Sequence, residues 1–180
     1  MEYLERSLEK DNVAIAYIYC SYKEQEDQST INLISSLLHQ LVQRKPAISD
    51  GIVSLYHQHI NKHTRPTLTE CTDLLQSEAR GFSKVFIAID ALDECPESNG
   101  TRMSFLREIW KLQPSMHLLD TSRHIPSIER EFEKAVRVEI RASNEDVGRY
   151  LEGRIEKEHR LVRHVRADPT LKNSIINIIV

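Results

Sequence analysis

Val85-Phe86-Ile87-Ala88-Ile89-Asp90-Ala91-Leu92-Asp93-Glu94-Cys95 decides the reading of this 180-residue chain. Its first five residues are apolar and mostly branched or aromatic, the pattern of a strand buried on both faces of a parallel sheet. Three carboxylates, Asp90, Asp93 and Glu94, follow at once. The carboxyl end of a parallel strand is where open α/β sheets bind ligands. An acid there can hold Mg²⁺, usually through waters, while a second polarises the water that attacks a phosphoanhydride. A plainer reading competes with this one, because Asp-Glu-Cys-Pro-Glu-Ser-Asn-Gly (93–100) is a good turn sequence in its own right. The order of the surrounding elements has to decide.

Upstream, the apolar run 13–19 predicts a first buried strand, and 21–30 a polar turn. Ile31, Leu33, Ile34, Leu37, Leu38, Leu41 and Val42 form a helical stripe that Pro46 stops. Weaker helices are expected near 49–62 and 69–80, with Gly81 as a stop before the acid-ended strand. Residues 1–10, with Leu4 and Leu8 four apart, read as the end of an amphipathic helix. Downstream, a helix at 101–111 leads to a strand at 116–121 that ends in Thr121-Ser122-Arg123. A short helix around Ile125, Ile128 and Phe132 precedes a fourth strand, expected at 136–142. Ser143 with Asp146 three positions on predicts a capped helix through Val147, Tyr150, Leu151 and Ile155. Asp168-Pro169 opens a last, apolar helix. Strands alternating with helices predict a three-layer parallel α/β domain.

Composition narrows the function. Charged residues are 28% of the chain and the net charge is −3, which points neither to nucleic acid nor to an acidic tail. No apolar run approaches the roughly 20 residues that cross a bilayer. The three cysteines, Cys20, Cys71 and Cys95, have no paired spacing, so a reducing, cytoplasmic setting is expected. Cys20 and Cys71 read as core residues and Cys95 as a turn residue beside the acids. Of His57, His59 and His63, the last two have helical i, i+4 spacing, but the sequence places no third ligand beside them, and a solvated helix face explains them better than a metal. Trp110 reads as an anchor in the helix–sheet core.

The acid-ended strand resembles the Walker B motif of NACHT-type, STAND-class P-loop NTPases, in the form found in fungal members related to the nephrocystin-like N-terminal domain. Leu118-Leu119-Asp120-Thr121-Ser122-Arg123 is similar to the fourth-strand segment of NACHT domains, whose Thr-Ser-Arg senses the γ-phosphate. The resemblance runs from about residue 10 to 180 and implies a partial NACHT nucleotide-binding domain over 1–180, starting after the Walker A loop and ending before the winged-helix region. It implies Asp90 as the Mg²⁺-associated acid, and Asp93 and Glu94 as the residues that order the attacking water, Glu94 being the base. It implies Arg123 as the sensor and Thr121 with Arg123 as cofactor-binding residues. ATP or GTP with Mg²⁺ is the implied cofactor of intact relatives. The implied role is a nucleotide-controlled oligomerisation switch in signal transduction, with NACHT-family oligomer partners or intact relatives and neither nucleic acid nor membrane. The competing reading of Arg123 is a structural ion pair with the nearby acids. The competing reading of the chain is a catalytically dead fragment that acts as an interaction module.

Three departures from that family pattern matter. Asp120 stands where the family carries an apolar residue, and a buried carboxylate is costly unless paired. No Gly precedes Gly51, and G-x-x-x-x-G-K-[ST] matches nowhere, so the backbone amides and Lys that cradle phosphates are missing from these residues. Turnover by the chain alone is therefore not expected. The resemblance also places a further strand between 116–121 and 136–142. Its loss removes ladder hydrogen bonds and buried side chains worth of order 10 kcal/mol, comparable with the stability of an ordinary domain. Residues 136–142 should then be displaced or pair directly with 116–121.

Overall fold

The computed structural model describes residues 12–97, 99–112 and 116–179. The amphipathic helix expected at 1–10 lies outside them. The chain divides into two compact units with the boundary between Glu133 and Lys134.

The first unit is built on a three-stranded parallel sheet in the order β1-β2-β3, with β1 at Val13–Tyr19, β2 at Lys84–Asp90 and β3 at Met116–Asp120. The register sets Tyr19 beside Asp90 and Ile89 beside Asp120, so β2 and β3 end nearly level. Four helices connect and follow the strands: α1 (Thr30–Gln43), α2 (Asp50–Lys62), α3 (Leu68–Ala79) and α4 (Thr101–Trp110). A short α5 (Pro126–Glu131) closes the unit.

One sheet face supplies Ala14, Ala16, Ile18, Val85, Ile87, Ile89 and Met116 to the core. Leu33, Ile34, Leu37 and Leu41 of α1 meet them, together with Cys71 and Leu75 of α3 and Phe105, Leu106 and Ile109 of α4. The stripe read from 31–42 is this buried face of α1. Trp110 packs against the same core, its ring 5.5 Å from Phe132. The other sheet face differs from the expectation for β2. Phe86 and Ala88 are only half-buried, and Tyr17, Tyr19 and Leu119 are exposed. A purely apolar strand sequence cannot tell one covered face from two, because Phe86 stacked on His117 at 4.9 Å satisfies much of the same demand.

Local chemistry fixes the helix ends. Ser29 Oγ accepts from the Asn32 N–H to start α1. Thr67 and Glu70 form a reciprocal capping box on α3, which the expected start at 69 overlooked. The outer edge of β1 is closed by side chains of α1. The Tyr17 N–H donates to Gln40 Oε1 at 2.9 Å, and Gln40 Nε2 donates to the Tyr17 carbonyl at 2.8 Å. Arg44 Nε donates to the Ile15 carbonyl at 2.8 Å. A primary amide satisfies the edge as a neighbouring strand would, and so blocks pairing with another chain.

The second unit holds α6 (Asn144–Lys157), α7 (His159–Ala167) and α8 (Thr170–Ile179). The capping box of Ser143 and Asp146 forms as expected, and Asp168 accepts from the Thr170 N–H and hydroxyl. Lys172 of α8 reaches Glu152 and Glu156 of α6. Ile178 of α8 is exposed.

The fourth strand is a correction. Residues 136–142 make no ladder among the described strands, and Val136, Val138 and Ile140 are 94%, 79% and 88% exposed. Of the two expected outcomes, direct pairing with β3 is not found among the described residues. Alternating Val and Ile favour extended backbone, but a strand without a ladder partner has nothing to hold it.

Two variants test this packing. Phe105→Ala, at a side chain with no exposure, should cost about 3–5 kcal/mol of unfolding free energy in urea titrations. Gln40→Leu should cost about 1–2 kcal/mol and increase self-association by light scattering. An unchanged, monomeric Gln40→Leu protein would mean that water replaces the amide at that edge.

Candidate functional site

The site is built where β2 and β3 end. Pairing of the two strands continues beyond their last residues: the Thr121 N–H donates to the Ile89 carbonyl, and the Leu92 N–H to the Thr121 carbonyl, both at 2.9 Å. Thr121 also works through its side chain. Its Oγ1 accepts from the Ala91 N–H at 3.0 Å and donates to Asp90 Oδ1 at 2.5 Å. Asp90 is thereby oriented at an exposed strand end.

After Asp90 the chain turns sharply. Ala91 adopts the left-handed conformation, with φ 55° and ψ 48°, and Leu92–Glu94 form one 3-10 turn. Leu92 has no exposure and pins the turn to the core. The turn then presents its two acids to different partners. Asp93, whose side chain is only 4% exposed, receives Arg123 Nε on Oδ2 at 2.5 Å and the Arg123 N–H on Oδ1 at 3.1 Å. Glu94 Oε2 accepts from the Tyr22 N–H at 3.1 Å, which ties it to the 3-10 turn Tyr22–Glu24 after β1.

Burial pushes the Asp93 carboxyl up, but the side-chain and backbone hydrogen bonds from Arg123 outweigh it and hold the group below the usual carboxylate range. Arg123 shifts the opposite way, raised first by its hydrogen bond to Asp93 and then by the charges of Asp93 and Glu94. The guanidinium is nevertheless 77% exposed, so it reaches out of the turn it neutralises.

Asp90, Asp93, Glu94, Thr121 and Arg123, five residues named from sequence alone, thus lie together on one rim. Arg123 forms the ion pair named above as its structural alternative. Asp120 is half-buried at the end of β3, which limits the cost of a carboxylate there. Sequence reasoning missed the Tyr22 amide. The polar segment after β1 signalled a turn, but backbone donors carry no sequence signature. The hydroxyl bridge of Thr121 to Asp90 was missed as well.

Among the described residues, no group of three or more His, Cys, Asp or Glu is placed to hold a metal ion. The donor set fits Mg²⁺ only in the mode that ion prefers, with one or two carboxylates and the remaining positions filled by water and substrate oxygens. Asp90 is the acid exposed enough to serve. His57 and His63 are exposed, as a solvated face requires, but His59 is not. His59 Nδ1 lies 2.7 Å from Thr64 Oγ1 and Nε2 3.2 Å from Glu70 Oε2, and its side chain is 12% exposed. It joins the capping box of α3 to the end of α2. No described helix is long and apolar enough to cross a membrane.

Linkage makes the Asp93–Arg123 pair measurable. Because the folded-state pKa of Asp93 is depressed, its stabilisation is complete above the unfolded value near pH 4 and fades as pH falls through the lower folded value. Asp93→Asn should lower stability at neutral pH by about 1–3 kcal/mol and flatten this acid limb of the stability profile. Equal acid limbs in the two proteins would place the titration elsewhere.

Comparison with known proteins adds one match. A family described as "Nephrocystin 3, N-terminal" matches residues 1–123, about two thirds of the chain. No curated protein matches.

Proposed function

This chain belongs to the nephrocystin 3 N-terminal family, and from that premise and the acid rim we propose that it forms part of the nucleotide-binding core of a NACHT-type, P-loop signalling NTPase. Its work there is to sense a nucleotide phosphate, not to turn nucleotide over alone. One observation carries the reading: a strand-end carboxylate, Asp90, and a solvent-reaching guanidinium, Arg123, stand on adjacent parallel strands around a turn that bears two more acids.

Mg-nucleotide, when bound, supplies the phosphoanhydride and the cation that screens it. The chain's own residues then have distinct tasks. Asp90, fixed through Oδ1 by the Thr121 hydroxyl, keeps Oδ2 for water on the metal. Thr121 is an orienting residue, because its hydroxyl is occupied by Ala91 and Asp90. Glu94 keeps one oxygen engaged with the Tyr22 amide and can align a water with the other. Asp93 holds Arg123 in reserve.

A phosphoryl oxygen would compete with Asp93 for that guanidinium: the charge-assisted bond gained offsets the one released, and the Arg123 N–H stays on Asp93 Oδ1, so the buried carboxylate keeps a donor. Exchange of Arg123 from Asp93 to phosphate is the sensing event in this reading. The phosphate-cradling loop is not among these 180 residues, so affinity should be weak and hydrolysis absent.

Calorimetric titration of the chain with Mg-ATP and Mg-GTP is the test. The expected result is weak binding that Asp90→Ala abolishes and Arg123→Ala reduces at least tenfold, since the guanidinium supplies a charge-assisted bond to the phosphate. Binding indifferent to both substitutions, or no binding of either nucleotide, would remove the sensing role and leave a protein-interaction module as the remaining reading.

A further inference from the structure

Among the described helices of the first unit, α2 alone has no buried residue. One side of it, with Ile52, Leu55 and His59, is half-buried, and Leu55 shares a groove with Leu74 of α3. A second side carries Val53, Tyr56 and Ile60, all exposed. Their spacing of three and then four residues sets them in one row, about 10 Å long at 1.5 Å per residue. Ile48, just ahead of the helix, is exposed as well. Apolar side chains scattered singly over a surface need no explanation, whereas a contiguous row marks a surface made for docking.

We propose that this row pairs with the same row of a second copy of the chain, the two α2 helices crossing antiparallel about a two-fold axis. The layout of α2 is self-complementary. Val53 stands three residues before Tyr56 and Ile60 four after it. A crossing centred between Tyr56 and His57 therefore sets Val53 of each copy level with Ile60 of the other, and the two Tyr56 rings meet near the axis. Charge follows the same symmetry. Asp50 opens the helix, and Lys62 and His63 close it. Antiparallel crossing brings each acidic start level with the other copy's basic end and opposes the helix dipoles; a parallel pair would set like ends together. The row shares no residue with the acid rim, so the pairing does not rest on nucleotide sensing.

The size of the row sets the strength of the contact. Stable interfaces bury about 800 Å² per partner, more than one row of three or four side chains offers. Association should be weak and reversible, with a dissociation constant on the order of 10⁻⁴ M. Tyr56 is the anchor: it is 59% exposed, and its ring stands edge-on to His57 at 5.7 Å. Aromatic residues near the centre of an interface carry a large share of its binding energy.

Sedimentation equilibrium of the whole chain without nucleotide, run from well below to well above that dissociation constant, is the test. The expected result is a monomer–dimer equilibrium that Tyr56→Glu weakens by about tenfold or more and Tyr56→Phe preserves. Leu119→Ser, at an exposed apolar residue of β3, should leave it unchanged. Circular dichroism should show every variant folded, because the substituted side chains lie at the surface. Introduced thiols read the orientation, since the native Cys20, Cys71 and Cys95 are buried. An equimolar mixture of Val53→Cys and Ile60→Cys chains should oxidise to a mixed disulfide dimer, while either chain alone stays largely unlinked. A chain that remains monomeric throughout would overturn the proposal and leave the row to a helix of another protein. Dimers indifferent to Tyr56→Glu, dimers lost with Leu119→Ser, or Val53→Cys chains that link to themselves in preference to the mixture would overturn it equally.

Discussion

Continuation of the β2–β3 ladder past the strand ends is the constraint on which the site depends. Three successive bonds achieve it: Thr121 to Ile89, Leu92 to Thr121, and Ala91 to the Thr121 hydroxyl. Parallel strands ordinarily diverge into separate loops where their ladders stop. Here Thr121 keeps the two segments locked for another residue on each side. The acid turn of one strand and the Arg of the other therefore share a wall. Without that lock Asp93 would lack its partner, and a carboxylate with only 4% exposure would be left desolvated and unpaired.

Charge within the rim is divided by depth. Asp93 is buried and matched by Arg123, Asp90 and Thr121 are exposed, and Glu94 is half-buried on a backbone donor. Three unscreened acids so close together would raise one another's pKa. Removing Asp93 from the exposed set by pairing it leaves Asp90 and Glu94 as the acids that solvent or a ligand can meet. The partner's guanidinium remains largely in water, so the pair is asymmetric. Its carboxylate is held by the fold, while its cation is held mainly by the carboxylate.

Much of this was legible from residue types because strand order and motif order coincide. The runs at 13–19 and 85–90 are apolar for a reason that survives in the structure, since each must present alternate residues to α1, α3 and α4. Asp90, Asp93, Glu94, Thr121 and Arg123 could be grouped because topology brings adjacent parallel strands to a common end. What failed depended on partners that sequence does not reveal. Residues 136–142 have the composition of a strand but join no ladder among the described strands. His59 looked solvated, yet Glu70 of the next helix reaches it. The partial cover of the second sheet face, where Ile15 is buried but Tyr17 and Leu119 are exposed, was hidden because an aromatic stacked on His117 reads like any core residue.

Conformational strain shows where a change at this rim can and cannot act. An Ala with φ near 55° costs about 1 kcal/mol or more relative to an ordinary backbone, so the turn persists because its surroundings over-determine it. Leu92 is buried from below, Thr121 clasps it from β3, Arg123 grips Asp93, and the Tyr22 amide holds Glu94. Moving its backbone would require breaking several of these at once, which no single ligand contact could offset. The exposed guanidinium of Arg123 has only Asp93 to release among these contacts and can rotate without disturbing the turn. A signal received at this rim must therefore pass through the motion of that side chain, while the strained turn stays fixed as the surface against which it moves.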